Sequence, residues 1–164
     1  MAVIHYSNSG GVGPQGPVGA KGDPGESGVG LEVSYTVGGG TLGATQPTFS
    51  GTPLFSGNYV GAGALVFFRV NVIMTNITGF GVGQYYMTLP FPAKYDTIVG
   101  TGSLKDFSGN DRYAIIGQVD AGTDVLKLWY SGPSGKTLEF DHASPVTLQP
   151  QDSFSLSGSY IKAD

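Results

Sequence analysis

The sequence predicts an all-β protein: a short collagen-like triple-helical stalk, then a β-sandwich head of jelly-roll type, assembled as a homotrimer. Three observations carry this expectation. Glycine recurs at every third position from Gly10 to Gly28, apolar and polar residues alternate from Leu31 onward, and no stretch shows helical periodicity. The chain divides accordingly into 1–9, a leader; 10–30, the stalk; and 31–164, the head.

The stalk is read from Gly10, Gly13, Gly16, Gly19, Gly22, Gly25 and Gly28. In a collagen triple helix three polyproline II chains wind so that every third residue faces the axis, where only glycine fits. Pro14 and Pro17 follow glycines and Pro24 precedes one, which preorganises the backbone. Lys21-Gly22-Asp23 places a lysine and an acid where neighbouring chains of a collagen-like trimer can pair. At roughly 3 Å per residue the segment spans about 55 Å. Six triplets cannot hold three chains together unaided, since ordering each residue costs about 1–2 kcal/mol. The head is therefore expected to trimerise by itself.

From Leu31 the period becomes two. Leu31–Val37 alternates and reads as a strand ended by Gly38-Gly39-Gly40. Tyr59–Val60 is a short apolar element, and Ala64–Thr75 is the strongest strand pattern in the chain. Val66, Phe68, Val70, Val72 and Met74 share one face of it; Leu65, Phe67, Arg69, Asn71 and Ile73 share the other. A strand apolar on both faces is buried twice or lies between subunits, so Leu65, Phe67 and Ile73 are the expected trimer interface. Gln84–Leu89, Thr97–Val99, Gly102–Phe107, Arg112–Val119, Val125–Tyr130, Thr137–Phe140, Val146–Leu148 and Ser153–Ile161 complete the strands. Turn signals separate them, among them Ser108-Gly109-Asn110-Asp111 and Gln149-Pro150-Gln151-Asp152. Gly117 and Gly158, inside strands, point to close packing or bulges.

Composition excludes several functions. With no cysteine there is no disulfide framework, thiolate metal site or cysteine nucleophile. Charged residues make up 12% and the net charge is −4, which gives no basic footprint for nucleic acid. No membrane insertion is expected, because the most apolar run, Gly63–Met74, is interrupted by Arg69 and Asn71. Met1–Gly10 lacks the pattern of a signal peptide. Gly135-Lys136-Thr137 resembles the end of a phosphate-binding loop, but Tyr130 stands where its first glycine belongs. Asp141 and His142 are strand neighbours pointing to opposite faces, and no nucleophile motif accompanies them. Asp106, Asn110 and Asp111 are oxygen donors of the kind calcium takes, although acidic residues in turns are ordinary. Asn76-Ile77-Thr78 is a glycosylation sequon, relevant only to a secreted chain. Tyr85, Tyr86, Tyr95, Tyr113, Trp129 and Tyr130 could stack on sugar rings, but core or interface filling is their commoner use. No catalytic, metal or cofactor site is expected.

A stretch from Gly83 to Ala93, preceded by Thr48-Phe49-Ser50-Gly51 and Pro53-Leu54-Phe55-Ser56-Gly57, carries a family resemblance, as does the closing Pro150–Tyr160 segment. With the glycine triplets, these residues resemble the collagen-containing fibre and minor tail proteins of tailed bacteriophages. The resemblance covers roughly Gly10 to the end and marks a structural module without an enzymatic site. It implies a virion appendage that docks on other virion proteins through Met1–Ser9 and presents trimeric heads, with a host cell-surface glycan as the outer partner. Attachment at the tail is favoured over capsid decoration at a three-fold position. A secreted trimeric binding module and a bacterial surface filament are the remaining alternatives. The first usually needs a signal peptide and cysteines, the second far longer triplet arrays.

Overall fold

Twelve strands form among the residues that the computed structural model describes, 30–52 and 54–164. The seven period-three glycines and Met1–Ser9 lie outside the described residues. The strands are β1 (Val33–Tyr35), β2 (Gly39–Thr41), β3 (Thr48–Phe49), β4 (Leu54–Ala62), β5 (Leu65–Ile73), β6 (Ile77–Gly79), β7 (Tyr85–Thr88), β8 (Thr97–Lys105), β9 (Arg112–Val119), β10 (Val125–Ser131), β11 (Thr137–Glu139) and β12 (Ser153–Ile161). There is no α-helix among the described residues.

Ten strands join in one antiparallel sheet in the order β1-β4-β5-β12-β8-β9-β10-β7-β2, with β11 sharing an edge of β10 with β7. A second, two-stranded ribbon pairs β3 with β6. The large sheet curls until its ends meet, an arrangement consistent with a β-sandwich-like fold. Tyr35 beside β4 donates its hydroxyl to the Thr88 carbonyl of β7 at 3.1 Å, and Thr88 N–H donates to Gly38 O at 2.9 Å. Burial raises the Tyr35 pKa, so this hydroxyl keeps its proton and its bond.

The alternating pattern explains which side faces in. Val66, Phe68, Val70 and Val72 of β5, Phe154 and Leu156 of β12, Ile115 and Val119 of β9, and Leu126 and Leu128 of β10 are buried in one core. Phe140, fully buried, stacks on Tyr85 with centroids 5.6 Å apart and meets Phe154 edge-on at 5.4 Å. The two halves of the curl are joined at this aromatic contact, of a kind that adds about 0.5–1.5 kcal/mol to area burial.

Several expected elements change. Thr97–Val99 and Gly102–Phe107 are one strand, β8, interrupted in register between Ile98 and Gly100. Val99 is the extra residue of a bulge, so the inward phase switches from Val99 to Leu104. The Tyr59–Val60 element is the nine-residue β4, whose Gly57 lies directly under the Tyr35 ring. Gly39 and Gly40, expected to end a strand, begin β2 beside β7, with Gly39 packed against Phe55. Val146–Leu148 forms no strand; buried Leu148 donates to His142 O and closes a loop.

Candidate functional site

The outer face of β4, β5, β12 and β8 collects the residues that sequence patterning left without an intramolecular partner. Register sets them in rows across the strands. Ala62–Leu65–Ile161 and Val60–Phe67–Ser159 lie at one end. Asn58–Arg69–Ser157–Thr101 and Ser56–Asn71–Ser155–Ser103 form the middle, and Leu54–Ile73–Ser153–Lys105 the other end. Phe67 is 47% exposed and Ile73 43%, while Leu65 is half-buried. Leu65 and Phe67 therefore form one apolar end with Val60 and Ile161. Ile73 stands apart from them, six residues from Phe67 and so about 20 Å along the strand.

The chain joins the head at the Leu65 end. Gly30 N–H donates to Gly61 O at 2.9 Å, and Gly61 pairs with Val66 between the Leu65 and Phe67 rows. Leu31, next to it, is 89% exposed.

The middle rows are polar, and the far row mixes exposed Leu54 and Ile73 with Ser153 and Lys105. Both arginines of the chain project here, Arg69 from β5 and Arg112 from β9. Lys105 is the direct cross-strand partner of Arg112, and its ammonium lies 5.5 Å from the Phe107 ring centroid. A shallow depression of about 230 Å³ lies among Asn71, Ile73, Ser103, Lys105, Arg112 and Ser153. Through Ser103 and Ser155 it meets a second depression of about 190 Å³ beside Arg69. At the outer edge Asn58 donates to Glu32 Oε1 at 2.7 Å and accepts from the Ser34 hydroxyl.

The β8–β9 loop beyond Lys105 is held by two aspartates. Asp106 Oδ1 accepts from Ser108 N–H, the Ser108 hydroxyl and Gly109 N–H at 2.8–3.0 Å. The Gly109 bond first, then the Ser108 hydroxyl, holds the Asp106 pKa below the usual carboxylate value. Asp152, fully buried, accepts from Phe107 N–H and Gln149 N–H, both at 2.8 Å. Asn110 takes a left-handed backbone conformation at the tip. Asp106, Asn110 and Asp111 thus share one loop, with Asp106 turned into it as its backbone acceptor. Among the described residues no three histidines or carboxylates gather as a metal-ligand group.

The remaining candidates scatter. Tyr85 and Tyr130 are core residues, Tyr95 is exposed, Tyr113 packs half-buried against the core, and half-buried Tyr86 and Trp129 share the outer face of β7 and β10, Tyr86 opposite Lys127. Asp141 accepts from Ala143 N–H within its own turn. Lys136 follows the exposed Pro133–Gly135 turn. Asn76 of the sequon donates to Thr52 O. The residues that carried the family resemblance are scaffold: the Tyr160 hydroxyl donates to Phe91 O and accepts from Phe91 N–H, and burial pushes its pKa up to about 12. Sequence reasoning missed Lys105 and Arg112. Their signal was present, as two cations flanking a six-residue turn, but pairing across it depends on the hairpin register.

No family model matches the chain, and no curated protein matches it significantly. Among solved structures the chain is similar to the Dettilon tailspike protein (gp208), with a TM-score of 0.53 and 14% sequence identity over 81% of this chain. The matched part is 24% of the tailspike chain, so this chain spans about a quarter of that protein. At this identity the likeness is one of fold.

Proposed function

We propose that the chain is a bacteriophage tail appendage: a homotrimer in which a collagen-like stalk carries three sandwich heads toward the host surface. The heads act by binding, not catalysis, and Met1–Ser9 docks on other virion proteins. The fold likeness to a tailspike supports placement at the tail, and the glycine triplets support three-fold assembly.

The observation that carries the reading is the position of Gly30. A triple helix brings three chains to one axis. The last period-three glycine, Gly28, stands two residues before Gly30, and Gly30 is bonded to Gly61 at the apolar Leu65–Phe67 end of the head. The end that must lie near the axis therefore offers a second copy the apolar surface of Leu65 and Phe67. Burial of side chains of this kind stabilises by roughly 1.5–3 kcal/mol each. Ile73, at the far end, lies outside that contact.

Light scattering of the full chain tests the assembly, with three times the chain mass expected. Antibody-labelled electron microscopy of intact particles tests the location, with label expected on tails. Label over the capsid at three-fold positions would favour decoration, and label absent from particles would refute the appendage reading.

A further inference from the structure

We propose that the depression at the end of the head remote from Gly30 binds an acidic polysaccharide, with Arg112 and Lys105 holding its anionic groups and Arg69 a second site along the same polymer. The proposal rests on the appendage reading for its outward orientation; its chemistry comes from the face itself.

An uncompensated pair of charges stands at this end of the head. Lys105 and Arg112 stand directly opposite across β8 and β9, where like charges destabilise a ladder. Among the described residues neither takes part in an ion pair; Lys94–Asp164 and Lys127–Asp120 are the pairs formed there. Glu32, which accepts from Asn58, borders the surface beside Arg69 and partly offsets that cation, but the carboxylates near Lys105 and Arg112 point elsewhere. Asp106 is turned into its own loop, Asp152 is buried against backbone N–H groups, and Asp111 faces Gly109. In a chain of net charge −4, this end of the face is left cationic.

Ladder spacings put Arg69 about 20 Å from Arg112. The surface joining them is floored by Asn71, Ser103, Ser153 and Ser155, which give and accept neutral hydrogen bonds. Exposed Ile73 and Phe107 flank it with apolar surface. Spaced cations, intervening hydroxyls and apolar flanks match a polymer of sugar rings with intermittent charge. Arginine's fork suits a carboxylate or a phosphodiester equally. A nucleic acid, with a charge on every unit, would require a far denser basic surface. A second copy of this chain would bring its own cations to the same place.

The test uses the full chain passed over immobilised hyaluronate, whose carboxylates alternate with neutral sugars, a polysaccharide with one phosphodiester per oligosaccharide repeat, and neutral dextran, at low and high salt. Binding to at least one acidic polymer, weakened by salt, and not to dextran is expected. The double variant Lys105→Gln/Arg112→Gln should bind about tenfold more weakly, with trimer mass unchanged and a thermal midpoint no lower than the parent's, since it removes the opposed like charges. Lys136→Gln, an exposed lysine in another turn, should bind as the parent does. Carboxylate-only or phosphate-only binding identifies the anion and supports the site. Equal binding to dextran, an unweakened double variant, or no binding to either acidic polymer overturns it. If trimer mass and tail labelling hold while binding fails, this site alone falls. Polymer binding by a protein absent from virions would refute the appendage and leave the site standing.

Discussion

Asp106 and Asp152 show how much of this molecule depends on single carboxylates that satisfy backbone N–H groups. Asp106 has a folded pKa below its unfolded value of 3.8, because Gly109 and Ser108 donate to its charged form. The sign follows directly: its contribution is fully present above the unfolded pKa and is lost as pH falls from 3.8 through the lower folded pKa. Asp106→Asn should therefore have a lower thermal midpoint than the parent at pH 7. The gap should close as both are melted at successively lower pH below 4. A gap that persists unchanged to pH 2 would mean that the carboxylate's charge is not what the loop uses. Asp152→Ala strands the N–H groups of Phe107 and Gln149, and urea unfolding should report a loss of about 1–3 kcal/mol. The Ser-Gly-Asn-Asp turn was legible in sequence because its residues have strong local preferences. Asp152 was not, because one of its two partners, Phe107, lies 45 residues away on another hairpin.

At the level of elements, alternation revealed β5, β9, β10 and β12 nearly to their ends, since each keeps one unbroken inward set. Where the phase breaks, sequence alone misleads. The Val99 bulge shifts β8 by one residue, so its apolar positions follow two incompatible alternations and read as two strands. Glycine-rich β2 and β4 were obscured for another reason: Gly39 and Gly57 are needed for the rings packed over them, and that demand comes from distant residues. The β8–β12 ladder gives a direct test. A β-carbon at Gly158 would lie 2.5 Å from Gly100 Cα, an obstruction of backbone that no rotamer change relieves. Gly158→Val should destabilise the head by about 1–3 kcal/mol or more in urea. Gly61→Val, where an added β-carbon meets nothing within 4 Å, is the control. Equal losses in the two variants would show that strand entropy and not close approach sets the cost.

For the whole molecule, the two halves of the proposal make separable demands. If the head trimerises independently, Gly19→Val should open the triple helix locally while light scattering still finds three chains. Monomers from that variant would assign assembly to the stalk. The interface itself is tested at Phe67. Its neighbours Val66 and Phe68 are buried within one subunit, but Phe67 points outward and is 47% exposed, so Phe67→Asp leaves the core intact. At a three-fold contact near Gly30 it would place three carboxylates close to one axis, where like charge and desolvation both oppose ionisation and association. Loss of the trimer with a folded head is expected, seen as a fall in mass with the β-sheet circular dichroism retained. Ile73→Asp, on the same strand and face but at the far end, should stay trimeric. The pair of variants separates position from chemistry, since both add one charge to an exposed apolar site of similar size. A trimeric Phe67→Asp of unchanged thermal midpoint would show that this end is not the interface, and dissociation by Ile73→Asp instead would move the axis to the opposite end of the head.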